Sequence, residues 1–224
     1  MLCQSHLPLE FHSTSHLAGA VEIFMSRQAF KEASQFFVDT VARIPAGRWD
    51  SPALGVWTVR ELVGHTNRAL LTLEDYSAHP SSTLDIQSAA EYYIKASKHA
   101  DHADIAERGR EAGKALGPDP LNTVRGTQSR VLALVARLDP AQPIASRFGG
   151  IRADHFIETR VFELVIHTLD IAQSLNLKVN PPKSALALTL RIASDIAAAT
   201  GKGVDLALAL TGRRPLPKGF SVLQ

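Results

Sequence analysis

The stretch Arg160-Val161-Phe162-Glu163-Leu164-Val165-Ile166-His167-Thr168-Leu169-Asp170 constrains the fold more than any other part of the chain. An acid and an imidazole four residues apart on a helix lie on one face, a turn above one another. The surrounding run is apolar, so the helix is expected to be buried, and a buried carboxylate without a partner is costly. Whatever fold forms must therefore supply Glu163 with a partner. A metal ion would do so, given a third ligand from another helix, and His65 is placed to provide it.

Helical punctuation runs through most of the sequence. The spacing predicts a first helix from about Arg27 to Ile44, with Phe30, Ala33, Phe37, Val38, Val41 and Ile44 as its apolar stripe. Thr58-Val59-Arg60-Glu61 is a capping box, flanked by Trp57 and Leu62 at the positions of a hydrophobic staple. It opens a second helix to about Ala78 that carries His65 facing inward. A third helical region is predicted over roughly 87–116, kinked near Gly109 and Gly113. Asp119-Pro120 opens a fourth helix to Leu138. Phe148-Gly149-Gly150 is a turn signal, and Asp154 is a candidate cap for the helix bearing Glu163 and His167, which ends near Leu175. A helix after Pro181-Pro182, a short piece over Val204–Leu210 and an extended tail complete the pattern. The expectation is an all-α, single domain over residues 26–224.

Residues 1–25 read as a disordered extension, or as the product of a start codon upstream of Met25. Their first 24 residues hold three histidines and two glutamates but no lysine or arginine, unlike a signal or transit peptide. Cys3 is the only cysteine, so no internal disulfide forms and a cytoplasmic setting is compatible. The net charge of +2, without blocks of like charge, argues against nucleic acid and anionic membrane as partners. No apolar run approaches the roughly 20 residues needed to span a bilayer.

Two imidazoles and one carboxylate suit a borderline cation such as Zn2+ and leave a coordination position open. From spacing and burial alone a second reading stands beside this one: a Glu–His hydrogen bond at a helix surface, with His65 a satisfied core histidine. Asp170, three residues after His167, could orient a ligand imidazole or be a surface aspartate. Arg160 could pair with Glu163 or hold an anionic substrate, though a solvated rim charge is the preferred reading. Arg60 and Arg152 are weaker candidates of the same kind. His99 and His102, i,i+3 in polar surroundings, read as a solvated helix face. His6, His12 and His16 are assigned no role, and nothing near Cys3 would lower its pKa to make it a nucleophile.

The two stretches Trp57–His65 and Arg160–Asp170, in this order, resemble the DinB/YfiT-like superfamily. Within it they are most similar to the metal-binding domain of mycothiol-dependent maleylpyruvate isomerase and its short actinobacterial relatives. The tail from Leu210 to Leu223 resembles the ending of many short members. The resemblance covers about residues 26–223. It implies a four-helix bundle, here with extra C-terminal helices and an extended tail, and a divalent-metal triad at His65, Glu163 and His167. It also implies mycothiol or another low-molecular-weight thiol as cofactor, and a small electrophilic substrate. A metal-dependent thiol transferase or cis–trans isomerase follows, with catalytic residues beyond the metal ligands unknown and a homodimer left open. The isomerase resembled carries a further C-terminal domain, whereas 49 residues follow Leu175 here, so maleylpyruvate itself is not implied. A non-enzymatic metal-binding module with a stress-response or partner-binding role is the alternative, and a bundle without metal a third.

Overall fold

The computed structural model describes residues 13–99 and 101–223, with side chains from residue 23 onward. Among these residues the regular structure comprises eight α-helices, a single 3-10 turn at Ala46–Arg48 and one small hairpin. Helix α1 spans Ser13–Val41, α2 Val59–Ser77, α3 Ala89–Lys98, α4 His102–Ala115 and α5 Pro120–Arg137. Strands β1 (Pro143–Ser146) and β2 (Gly149–Arg152) pair antiparallel and lead into α6 (Ala153–Ser174). Helices α7 (Lys183–Ala199) and α8 (Gly203–Leu210) follow. The fold is all-α, and no described helix is long and apolar enough to cross a membrane.

Helices α1, α2, α5 and α6 form the bundle, each touching two others around its axis, while α4 lies along α2 and α7 covers α1 and α6. Phe30 and Phe37 of α1, Leu62, Leu70 and Leu73 of α2, Val124 and Val131 of α5, and Phe156, Val161 and Leu164 of α6 are essentially fully buried. Most neighbours within a set are three, seven or eight residues apart, close to whole helical turns, which keeps their side chains on one helix face. Burial of such side chains is worth about 1.5–3 kcal/mol each against full exposure, so this shared core holds the helices in place.

Local signals start the elements that carry the site. Thr58 Oγ1 accepts from the Glu61 amide at 3.3 Å, and the Glu61 carboxylate accepts from the Thr58 amide at 2.8 Å. That reciprocal pair satisfies two amides left over at the start of α2. Asp119 accepts from the Asn122 amide, with Pro120 at the first position of α5.

Several expectations are corrected. The extension expected over residues 1–25 is helical from Ser13 onward, continuous with α1. Ser26 lies inside α1, and its hydroxyl donates across to Glu158 of α6 at 3.1 Å. Leu17, Ala18 and Ala20 are good helix formers, and no glycine or proline separates them from Phe30, apart from Gly19. Residues 1–12, with Cys3, His6 and His12, lie outside the described residues. The single region predicted over 87–116 is two helices, because Asp101 accepts from the Ala103 and Asp104 amides and starts α4 afresh. Gly109 and Gly113 do not kink it. Asp154 sits inside the first turn of α6 rather than capping it, accepting from the His155 amide and pairing with Arg152 at 2.5 Å. The N-cap position is Arg152, which makes no side-chain cap bond.

Candidate metal centre

The facing surfaces of α2 and α6 bring His65, Glu163 and His167 together, with one potential ligand atom from each lying within 4.8 Å of the others. The i,i+4 spacing on α6 aligns Glu163 and His167, and His167 Nε2 stands 3.1 Å from Glu163 Oε2. Its other nitrogen, Nδ1, is 3.1 Å from Asp170 Oδ2, so both imidazole nitrogens face carboxylates. From α2, the His65 ring meets the His167 ring edge-on with centroids 4.9 Å apart.

Each partner is locked by packing. The Trp57 ring lies against His65 at 4.4 Å, and its indole N–H donates to the Ala106 carbonyl at 3.0 Å. Gly109 of α4 presses on the same indole: a Cβ there would fall 2.5 Å from the ring. The tryptophan thus seals one side of the histidine. Tyr93, buried to 7 % exposure, places its hydroxyl 2.8 Å from Glu163 Oε1 and 2.9 Å from the Thr159 carbonyl. Two acceptors compete for one phenolic proton, and the charged one binds it more strongly.

The protonation states follow from these contacts. Burial, then the cationic His167 beside it, push His65 down to about 3, so it is neutral. Its Nδ1 is buried with no hydrogen-bond partner among the described residues. Burial opposes charge on His167, but the hydrogen bonds to Asp170 and Glu163 outweigh it and raise the group to about 9. Burial likewise opposes the Glu163 carboxylate, and the His167 contact overrides it, holding the acid at about 2. Glu163 and His167 are therefore an ion pair at neutral pH.

A cavity of about 310 Å³ opens onto His65 and Glu163, walled by Tyr76, Tyr92 and Tyr93, with Arg68, Arg108, Arg147 and Arg160 around it. Arg160 is not the rim charge expected from sequence; it is 7 % exposed. Its guanidinium donates to Thr159 and Thr72 hydroxyls at 3.0 and 3.2 Å and lies over the Phe156 and Tyr92 rings at 4.5 and 5.6 Å. No carboxylate forms a salt bridge with it among the described residues. Arg60 instead donates to the Gly117 carbonyl away from the site, and Arg152 pairs with Asp154. His99 and His102 are not on one helix; they flank the break before α4, and His99 stacks on Phe148 at the cavity's mouth.

Tyr93, Tyr92 and Trp57 were not singled out as site residues in the sequence. Trp57 had a signal, its place before the capping box. The tyrosines had none, because α3 reaches the site only through tertiary packing. Replacing Asp170 by asparagine, which keeps the shape but removes the charge facing His167, is expected to weaken any metal binding at the triad about tenfold to a hundredfold. Competition titration with a zinc-binding dye reads this, and an unchanged affinity would remove Asp170 from the site.

The all-helical bundle on which these three side chains meet is that of a DinB-like domain. The chain belongs to the mycothiol maleylpyruvate isomerase N-terminal domain family, whose model matches residues 30–172. That span contains all three triad residues and ends just beyond Asp170. No curated protein and no solved structure gives a significant match.

Proposed function

We propose that this protein binds a divalent cation, Zn2+ by the chemistry of the donor set, at His65, Glu163 and His167, and uses it with a low-molecular-weight thiol of the mycothiol type to transfer the thiol to, or isomerise, a small electrophile. The observation that carries this reading is His65: a half-buried, neutral imidazole whose buried Nδ1 has no hydrogen-bond partner among the described residues, beside a carboxylate and a second imidazole. Such a group costs stability unless something binds it. Two nitrogens and one oxygen suit zinc and leave room for an exogenous ligand. When bound, the cation lowers the pKa of a coordinated thiol or water.

The chain's own residues do the rest. Asp170 and Tyr93 fix the orientations of His167 and Glu163. The tyrosine-lined cavity of about 310 Å³ admits a small molecule. Arg160 is a buried cation whose direct contacts are hydroxyls and aromatic faces, and a ligand anion would complete its hydrogen bonding. This favours an anionic electrophile. Replacing Arg160 by methionine is expected to raise KM for an anionic substrate about tenfold to a hundredfold, the worth of a hydrogen bond to a charged group, while a neutral analogue changes little. Equal losses on both would assign Arg160 to packing alone.

The cavity that reaches the triad favours an enzyme over a non-catalytic metal module. The test is elemental analysis of the purified protein, followed by incubation with an electrophile and, in turn, mycothiol, bacillithiol and glutathione. Stoichiometric metal with thiol-dependent consumption of the electrophile is expected. Metal without turnover on any thiol would return the chain to the non-enzymatic module.

A further inference from the structure

Among the described residues, every one lining the cavity lies within 65–163 except Leu223. All the others fall inside the segment that matches the family, residues 30–172, and Leu223 lies 51 residues beyond it. The tail that brings it there is unusual in its exposure. Residues 211–219 are all exposed, yet Phe220, Ser221 and Val222 are half-buried, and Val222 packs against the core. The chain leaves α8, arcs through solvent, and touches down again at the cavity.

That touchdown is held by specific contacts. Lys202 Nζ donates to the Ser221 carbonyl at 2.6 Å, pinning the tail to the start of α8. The Phe220 amide donates to the Pro217 carbonyl and the Leu223 amide to the Ser221 hydroxyl, at 3.0 and 3.1 Å. Gly219, at φ +74°, supplies the reversal that a side-chain-bearing residue would resist. Pro215 and Pro217 reduce the freedom of the arc in the unfolded and the detached chain alike, so less entropy opposes docking. An exposed terminal segment without such ties would not hold one place.

We propose that the segment Phe220–Leu223 is the outer wall of this cavity, and that Leu223 is its specificity-determining contact, taking the apolar, non-reacting end of the bound ligand. Leu223 remains 40 % exposed. It joins Ala96, Ile105 and Phe148 as an apolar part of a lining that also holds arginines, Ser97, His99 and Asp101. An exposed leucine beside Ile105 and Phe148 is covered by an apolar group of the ligand, and burying each methylene there is worth about a fourfold gain in affinity. The ligand class is an amphipathic organic anion, its charge toward Arg160 and its alkyl or aryl end against Leu223. This rests on the anionic-ligand part of the proposed function, and not on the metal.

The probes are straight-chain carboxylates from acetate to octanoate, titrated into the metal-free full-length protein by calorimetry or NMR. Metal-free protein keeps the test separate from the metal reading, since a protein that never binds zinc still reports on the wall. In the wild type, affinity is expected to rise about fourfold per methylene once the chain reaches the mouth. Leu223→Asp is expected to flatten that increment for the longer members, beyond any uniform loss that its added charge imposes on acetate and the whole series alike. Leu223 is surface-exposed, so the variant should melt with the wild type, and Lys202→Gln, which releases the anchor, gives a second route to the same loss. Hydrogen exchange across residues 216–223 should slow when octanoate binds. The same length dependence in wild type and Leu223→Asp overturns the proposal, as does failure of every carboxylate to bind. Tighter binding of the whole series to Leu223→Asp also overturns it, by making the tail a plug.

Discussion

Glu163→Gln is expected to leave the purified protein with about a tenth or less of the zinc carried by the wild type, while the fold survives. Three ligands become two, and a two-ligand site does not retain zinc against buffer and chelators. Glutamine keeps the volume of the side chain and can still accept from Tyr93, so the packing around α3 and α6 changes little. The pH dependence of the wild type supplies an independent check. In the metal-free protein His167 is raised to about 9 and Glu163 is held at about 2, while His65 lies at about 3. Between pH 5 and 9, roughly, only His167 carries a proton that a cation must displace. Apparent affinity should therefore climb about tenfold per pH unit across that window and level off above the His167 pKa. Losing Glu163 removes one of the two carboxylates that raise His167, so in Glu163→Gln the residual affinity should level off at lower pH. Stoichiometric zinc in Glu163→Gln, or wild-type affinity flat from pH 6 to 9, would contradict a site at these three residues.

The parts of this site that were legible in the sequence are those governed by short-range chemistry. Thr58 and Glu61 announce the start of α2 because a capping box satisfies its own amides with residues three apart. Glu163 and His167 meet because four residues make one turn, and Asp170 joins them by the same geometry. The depth at which α2 meets α6 is not local, and placing His65 opposite the pair needed the family resemblance. Arg160 illustrates the limit. Read along the chain it is a charge at the start of an apolar run, which normally means the solvent edge. In the fold α3 brings Tyr92 over it, Phe156 of its own helix covers it as well, and threonine hydroxyls take its hydrogens.

Elements held by tertiary partners were illegible for the same reason. Strands β1 and β2 are four residues each, too short to show alternation. They exist because Ile86 bridges to Ile151 and Pro80 to Ile144, and because the Asp85 carboxylate accepts from the Gly150 amide at 2.8 Å. Residues 87–116 read as one helix because every residue near His99 tolerates helix. Asp101 breaks it only once Phe148, from the hairpin, stacks on His99 and gives the turn a place to sit.

Gly109 and Gly113 were misread as kinks because glycine in a helix lowers its stability, whereas here it permits contact. The second large prediction follows from that contact. Gly64→Ala is expected to destabilise the protein by about 3 kcal/mol, a fall of roughly 6–12 °C in Tm for a chain of this size. An alanine Cβ at Gly64 would fall 2.3 Å from the Gly113 amide nitrogen and 2.6 Å from the Ala112 carbonyl oxygen. These are backbone atoms, so no rotamer change relieves the overlap and α4 must back away by about 1 Å to restore ordinary contact. The sign is diagnostic, because alanine in place of glycine in a helix with room to spare stabilises it by about 0.5–1 kcal/mol. Gly126 of α5 is that control: the nearest atom to a Cβ there is the flexible end of Arg130, at 3.9 Å. Calorimetry should therefore show Gly126→Ala melting higher than the wild type and Gly64→Ala melting lower. The damage should also reach the site, since α4 presses Gly109 against Trp57 and Trp57 against His65. A receding α4 frees the indole and with it the imidazole, so Gly64→Ala should weaken zinc binding even at temperatures where it stays folded. A Gly64→Ala protein with wild-type Tm would show that α2 and α4 are not in backbone contact, and would remove the wall that holds His65 in place.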